Sequence, residues 1–198
     1  MPRKSLFQQK KLAEDLEKLK ETIRLSVSSY GLQLYKVLVI ADQELKERLR
    51  RASSDQRQIT ECSHLFVFCN YTEVKHEDID DFIKLKAEIQ EIDPAGLRDK
   101  TDFMKAKLAE KSEEEKTSWL KRQPYLALSN LLMACAELKI DACPMEGFDP
   151  DEYNEILELN RKGLNALVVA PIGYRSEDDL SQFAKKVRKG SSQLFEQI

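Results

Sequence analysis

Apolar positions along the chain follow two rhythms, one helical and one suited to strands. Leu12, Leu16, Leu19 and Ile23 recur at spacings of four, three and four, with Glu and Lys between them, so residues 4 to about 26 are predicted helical. Small polar residues and a glycine, Ser26-Val27-Ser28-Ser29-Tyr30-Gly31, end that pattern. The run Val37-Leu38-Val39-Ile40 marks Gln33–Ala41 as a strand covered on both faces. A charged helix, Gln43–Arg51, a polar stretch to Gln58 and a short helix, Ile59–Ser63, lead to a second buried strand, His64–Tyr71. Residues 76–91 are amphipathic, with Ile79, Phe82, Ile83, Leu85 and Ile89, and Asp93-Pro94-Ala95-Gly96 breaks them from a helix over Leu97–Glu110.

Ser112 followed by Glu115 is a capping-box signature for the helix that carries Trp119, and Pro124 is expected to kink or restart it. Beyond it, Tyr125–Leu138 places Leu126, Leu128, Leu131, Leu132, Met133, Ala134 and Cys135 all round a 3.6-residue spiral. Such a helix belongs in the centre of a fold or at a subunit interface. A short strand, Lys139–Cys143, a Pro144-Met145-Glu146-Gly147 turn, a helix over Asp151–Leu159 and a last strand, Leu164–Pro171, complete the core. Ser176–Asp179 is expected to cap a final short helix. Long helices outweighing short strands predict an α+β fold, with helices on both faces of one sheet in two or three layers.

Composition narrows the function. The chain has 198 residues, enough for one domain spanning 1–198 with a substantial core. A net charge of −3 argues against a general nucleic-acid binder. No apolar run approaches the roughly 20 residues of a membrane span, and MPRKSLFQQKK lacks the apolar region of a secretory signal. Four cysteines, Cys62, Cys69, Cys135 and Cys143, have no C-x-x-C spacing, so they read as buried reduced thiols rather than disulfides or a metal site. The expected location is cytoplasmic. His64, beside a core strand, reads as a structural residue rather than a pH switch. No Ser-His-Asp or Cys-His constellation stands out.

The segment 123–149 changes the picture. A central apolar helix, a strand and the loop Pro144, Met145, Glu146, Gly147, Phe148, read with Gly163–Tyr174, resemble the C-terminal half of the FMN-dependent nitroreductases. That resemblance covers roughly residues 10–190. It implies a central mixed sheet covered by helices, an obligate homodimer with the apolar helix at or near the interface, and a tail, 185–198, that reaches the partner. It also implies FMN as cofactor, NAD(P)H as hydride donor and a nitroaromatic, quinone or similar acceptor, with hydride passing through flavin N5. A flavin enzyme of this kind works by positioning and electrostatics, so it needs no nucleophile of its own.

The resemblance assigns roles residue by residue. The Glu146–Gly147 backbone lies beside flavin N5, with Pro144 packed nearby. Ser28 and Ser29 match a serine loop that contacts the flavin of the other subunit, although Leu34 stands where the family usually has Pro. Asp55 and Gln58 fall near the ribityl chain and pyrimidine edge. Asp55 replaces an amide, which puts a negative charge near the flavin carbonyls and would lower the reduction potential or weaken binding. Lys186 and Arg188 match a Lys-x-Arg that pairs with the phosphate or ring edge. No metal is implied. At the front, residues 1–9 lack the family's basic phosphate clamp, for which Arg3 and Lys4 are the available substitutes. The alternative reading is a non-catalytic dimeric protein that keeps the fold and has lost FMN.

Overall fold

The computed structural model describes residues 12–175 and 179–198. The expected residues 4–11 of the first helix, the Arg3 and Lys4 substitutes and the Ser176 cap lie outside the described residues. Helix α1, Leu12–Arg24, is followed by a 3-10 turn over Ser29–Gly31. Strand β1, Tyr35–Ile40, is followed by α2, Gln43–Arg51, and α3, Gln58–Glu61. Strand β2 spans His64–Tyr71, as its β-branched and aromatic run predicts. Then come α4, His76–Gln90, and α5, Arg98–Ala109, with a 3-10 turn at Pro94–Leu97 between them. The long α6, Glu113–Glu137, precedes β3, Asp141–Ala142, α7, Pro150–Ile156, and β4, Leu164–Gly173. The tail carries a 3-10 turn at Leu180–Phe183 and one helical turn, α8, Ser191–Leu194.

One strand and one helix differ from the sequence expectation. The strand expected over Lys139–Cys143 shrinks to two residues, because Lys139 adopts φ +56° and the Ile140 amide donates to Cys135 O at 2.8 Å. Those residues belong to the stop of α6, the left-handed turn that satisfies its last carbonyls. Helix α6 is continuous across Pro124 and does not restart there. Its missing N–H leaves one carbonyl unpaired, but buried contacts at Trp119, Leu120, Ala127 and Leu128 on either side hold one continuous helix.

The sheet order is β1-β2-β4-β3, and every ladder among the described residues is antiparallel. The sheet is therefore not the mixed one expected, since no parallel pairing contributes to it; the α+β class stands. Alternation in β2 splits the core. Leu65, Val67 and Cys69 face α2, α3 and α7, with Leu49, Ile59 and Tyr153. Phe66 and Phe68 face α1 and α6, with Leu19, Ile23, Leu128 and Leu131. Both faces are covered, which gives three layers. A separate cluster, with Ile79, Ile83, Met104, Leu108, Trp119 and Leu120, ties α4 and α5 to the first half of α6.

The apolar helix segment is not covered all round within one chain: Leu126 is 43% and Met133 71% exposed. Among the described residues no helix is long and apolar enough to cross a membrane. All four cysteines are free, with Cys62, Cys69 and Cys135 buried. Cys143 is exposed, contrary to expectation, because it lies past the short β3 at the sheet edge. His64 shares a 2.8 Å hydrogen bond with Ser63 Oγ, and burial together with Lys46 and Lys20 lowers its pKa, as suits a structural histidine.

Candidate functional site

The loop after β3 is fastened to the body at both ends. Met145 exchanges backbone hydrogen bonds with Val169 of β4, at 2.8 and 3.0 Å. The Asp149 amide donates to Ala52 O at 2.8 Å, while the Asp149 carboxylate caps α7. Phe148 stacks at a tilt on the buried Tyr153, ring centroids 4.4 Å apart, and Tyr153 OH pairs with Ser53 Oγ at 2.8 Å. Between these anchors, Glu146 and Gly147 are exposed residues, and their amides find no acceptor among the described residues. A clamped loop with two free N–H donors is a ready binder of an electron-rich atom.

Two side chains hold the middle of the loop. Gln56 Nε2 donates to Gly147 O at 2.7 Å, and a Cβ on residue 147 would press on that nitrogen at 3.1 Å. Tyr125 OH, from α6, donates to Glu146 Oε1. Burial and the Glu146 carboxylate push the Tyr125 phenol up to about 12. Sequence reasoning missed both residues. Gln56 sits in a polar stretch with no periodicity, and Tyr125 registers in the sequence only as one more apolar helix position.

The predicted residues fall into three places. Pro144, Glu146 and Gly147 form the loop, and the Asp55–Gln58 segment reaches it through Gln56. Asp55 and Gln58 are themselves exposed, and among the described residues neither forms a hydrogen bond with the loop. The Asp55 carboxylate pairs with the Arg50 guanidinium at 2.8 Å, so its charge is largely answered inside the segment.

Ser28 and Ser29 lie in the connection between α1 and β1 and are tied to α6 through Gln123. Ser28 Oγ accepts from the Gln33 amide at 2.9 Å, and the Ser29 amide donates to Gln123 Oε1 at 2.8 Å. Positive φ at Tyr30, Gly31 and Gln33 fixes the shape of this loop. No hydrogen bond joins it to residues 144–148 within one chain among the described residues. Gln123, 6% exposed, also donates to Trp119 O at 3.1 Å. A buried amide inside an apolar helix is the sequence signal that could have flagged it. Lys186 and Arg188 are exposed, and the structure does not bring them to the loop of their own chain.

A cleft of about 580 Å³ opens beside the loop, lined by Leu132, Cys135, Ile140, Ala142, Pro144 and Arg175. Arg175 is committed to Asp141 through a two-pronged ion pair at 2.5 and 2.6 Å. Among the described residues, no cluster of His, Cys, Asp or Glu could hold a metal ion.

Comparison with known proteins puts these features in a family context. The model of the Nitroreductase family matches residues 9–174. The major NAD(P)H-flavin oxidoreductase of Aliivibrio fischeri is 32% identical over 185 residues, covering 89% of this chain and 84% of that protein. Among solved structures, the Bacillus subtilis nitroreductase candidate ydfN superposes with a TM-score of 0.85 at 20% identity, covering 98% and 93% of the two chains. A protein from Exiguobacterium sibiricum, solved in complex with FMN, gives 0.81 at 16% identity over 98% and 91%. At such identities the structural matches bear on the fold.

Proposed function

The chain belongs to the nitroreductase family, and from that premise we propose that it is an FMN-dependent NAD(P)H oxidoreductase whose loop 144–148 lies against the flavin. The observation that carries this reading is the pair of unpaired Glu146 and Gly147 N–H groups on a loop braced from four sides. Rigid donors that need no rearrangement are what electrostatic stabilisation of a reduced ring requires. Bound FMN would supply hydride exchange between a reduced nicotinamide and a nitroaromatic, quinone or similar acceptor.

This chain's residues supply the rest. Glu146 and Gly147 offer their amides to the ring, Pro144 packs beside it, and Asp55 and Gln58 lie toward its polar edge. Lys186 and Arg188 are cations suited to the phosphate, and Ser28 and Ser29 serve the site of a second copy. A homodimer is part of the proposal. The exposed Leu126 and Met133 on α6, and the exposed Val187, Leu194 and Phe195 of the tail, support it. Surfaces of that kind are expected to be covered by a partner. The single-domain reading of residues 1–198 and a cytoplasmic location, which suits four free thiols, complete it.

The test is a visible absorption spectrum of purified protein before and after FMN is added and the excess removed. Flavin bands that stay with the protein, and bleach when NADH or NADPH is supplied without air, are the expected result. Loss of all flavin on desalting would overturn the reading and leave the non-catalytic alternative.

A further inference from the structure

The Glu146 side chain sits on an exposed loop, next to the two free amides that the proposed flavin contact uses. An unrestrained carboxylate there is a local acceptor, and side chains of this kind readily fold back onto neighbouring backbone N–H groups. It would then block the donors it stands beside. The structure gives Glu146 another partner. Tyr125 reaches across from α6, 21 residues earlier, and its hydroxyl donates to Glu146 Oε1. Gln56 holds the following peptide from the other side, through Gly147 O at 2.7 Å. The backbone anchors at Met145 and Asp149 fix the ends of the loop, and the Phe148 amide donates to Glu146 O at 2.9 Å in its middle, but none of these bonds engages the Glu146 carboxylate.

We propose that Tyr125 is a positioning residue: by occupying the Glu146 carboxylate it keeps the Glu146 and Gly147 amides facing outward and free for the ligand. This rests on the FMN reading above for the identity of that ligand, but its structural half does not. The phenol is suited to the task because it stays protonated. Burial and the adjacent carboxylate push it up to about 12, so it remains a donor throughout the neutral range.

The experiment compares full-length wild type with Y125F, E146Q and Y125F/E146Q. The first readout is amide hydrogen exchange of residues 145–148 in protein stripped of flavin. The second is the FMN dissociation constant from quenching of flavin fluorescence, and a far-UV melting curve checks that each variant is folded. Y125F is expected to change exchange across Glu146–Phe148 several-fold and to weaken FMN about five- to tenfold, the loss expected of one charge-assisted hydrogen bond at a partly exposed site. E146Q keeps an acceptor oxygen for the phenol and should lose about threefold at most, whereas the double variant should match Y125F. Tight FMN binding by wild type, with both readouts unchanged in Y125F, would overturn the role of Tyr125 and leave the flavin reading intact. If wild type binds no FMN, the flavin reading falls. Exchange alone then decides Tyr125: a change in Y125F upholds it, and no change refutes it.

Discussion

Replacing Gly31 by alanine is the most direct test of how the serine loop is built. Gly31 has φ +82°, and a Cβ there would stand 3.2 Å from both Cε2 and Cζ of the Phe82 ring. The left-handed backbone costs an alanine about 1–2 kcal/mol. Phe82 is half-buried against the α4–α5 cluster, so its ring can yield a few tenths of an ångström, adding up to about 1 kcal/mol. The expected loss is about 1–3 kcal/mol, or about 2–12 °C in melting temperature for a chain of this size. Gly96 supplies the control. It sits in the 3-10 turn Pro94–Leu97, and a Cβ there meets nothing within 4 Å. G96A should be neutral or stabilising by about 0.4–1 kcal/mol, through the unfolded chain. Urea titrations of both variants at equal m-value measure the difference. A G31A no less stable than G96A would refute the claim that the loop depends on a left-handed glycine beside Phe82.

Other substitutions probe the rest of the framework. Q123L removes the acceptor of the Ser29 amide and should cost about 1–2 kcal/mol in urea titration, without unfolding α6. L131A, at a fully buried position between α6 and the sheet, should cost about 3–5 kcal/mol and lower the melting temperature accordingly. Burial lifts the Cys69 and Cys135 thiols to about 12 and Cys62 to about 11. An acid whose pKa is raised by folding holds its proton more tightly in the folded state. Its stabilisation is therefore complete below the ordinary thiol value and is lost as pH rises through 9 toward 12. Unfolding free energy should be level near pH 7.5 and fall above about pH 9, and a rise there would contradict the burial argument. In native protein one thiol of four, the exposed Cys143, should react with a thiol reagent at pH 8, and the other three only after denaturation.

Periodicity carried most of the fold. The β2 strand and the helices at 43–51 and 76–90 fall within a residue of their expected limits because each is bounded by a local signal, a cap, a break or a change of rhythm. Pro124 and residues 139–140 misled for the converse reason. Packing overrides a local proline in a helix anchored on both sides, and a helix stop imitates the start of a strand. The candidate site was legible as a motif and not as a mechanism. Pro144, Glu146 and Gly147 stand out in the sequence. Their restraint by Gln56 and Tyr125 spans 91 and 21 residues, and no local pattern encodes such a contact. The Arg50–Asp55 pair was equally hidden, since the sequence shows the charge of Asp55 and not its neighbour in space.

The sheet order has a consequence for how the chain acquires its structure. Strand β2 is the middle of the core, yet its partner β4 begins about ninety residues later. Closing that ladder requires β4 to find β2 across all of α4, α5 and α6, so the entropy of a long loop is spent before any central pairing forms. During synthesis, at about 5–20 residues per second, β2 would wait on the order of 5–20 s for its partner. Its Leu-Phe-Val-Phe-Cys run stays unpaired on that side until then. The α4–α5 cluster, whose members, Leu34 included, all precede β4 in sequence, can assemble in that interval and shorten the remaining search. A folding trace is therefore expected to show helix forming first, with the sheet signal appearing last and rising with the protection of Val168, Val169 and Ala170.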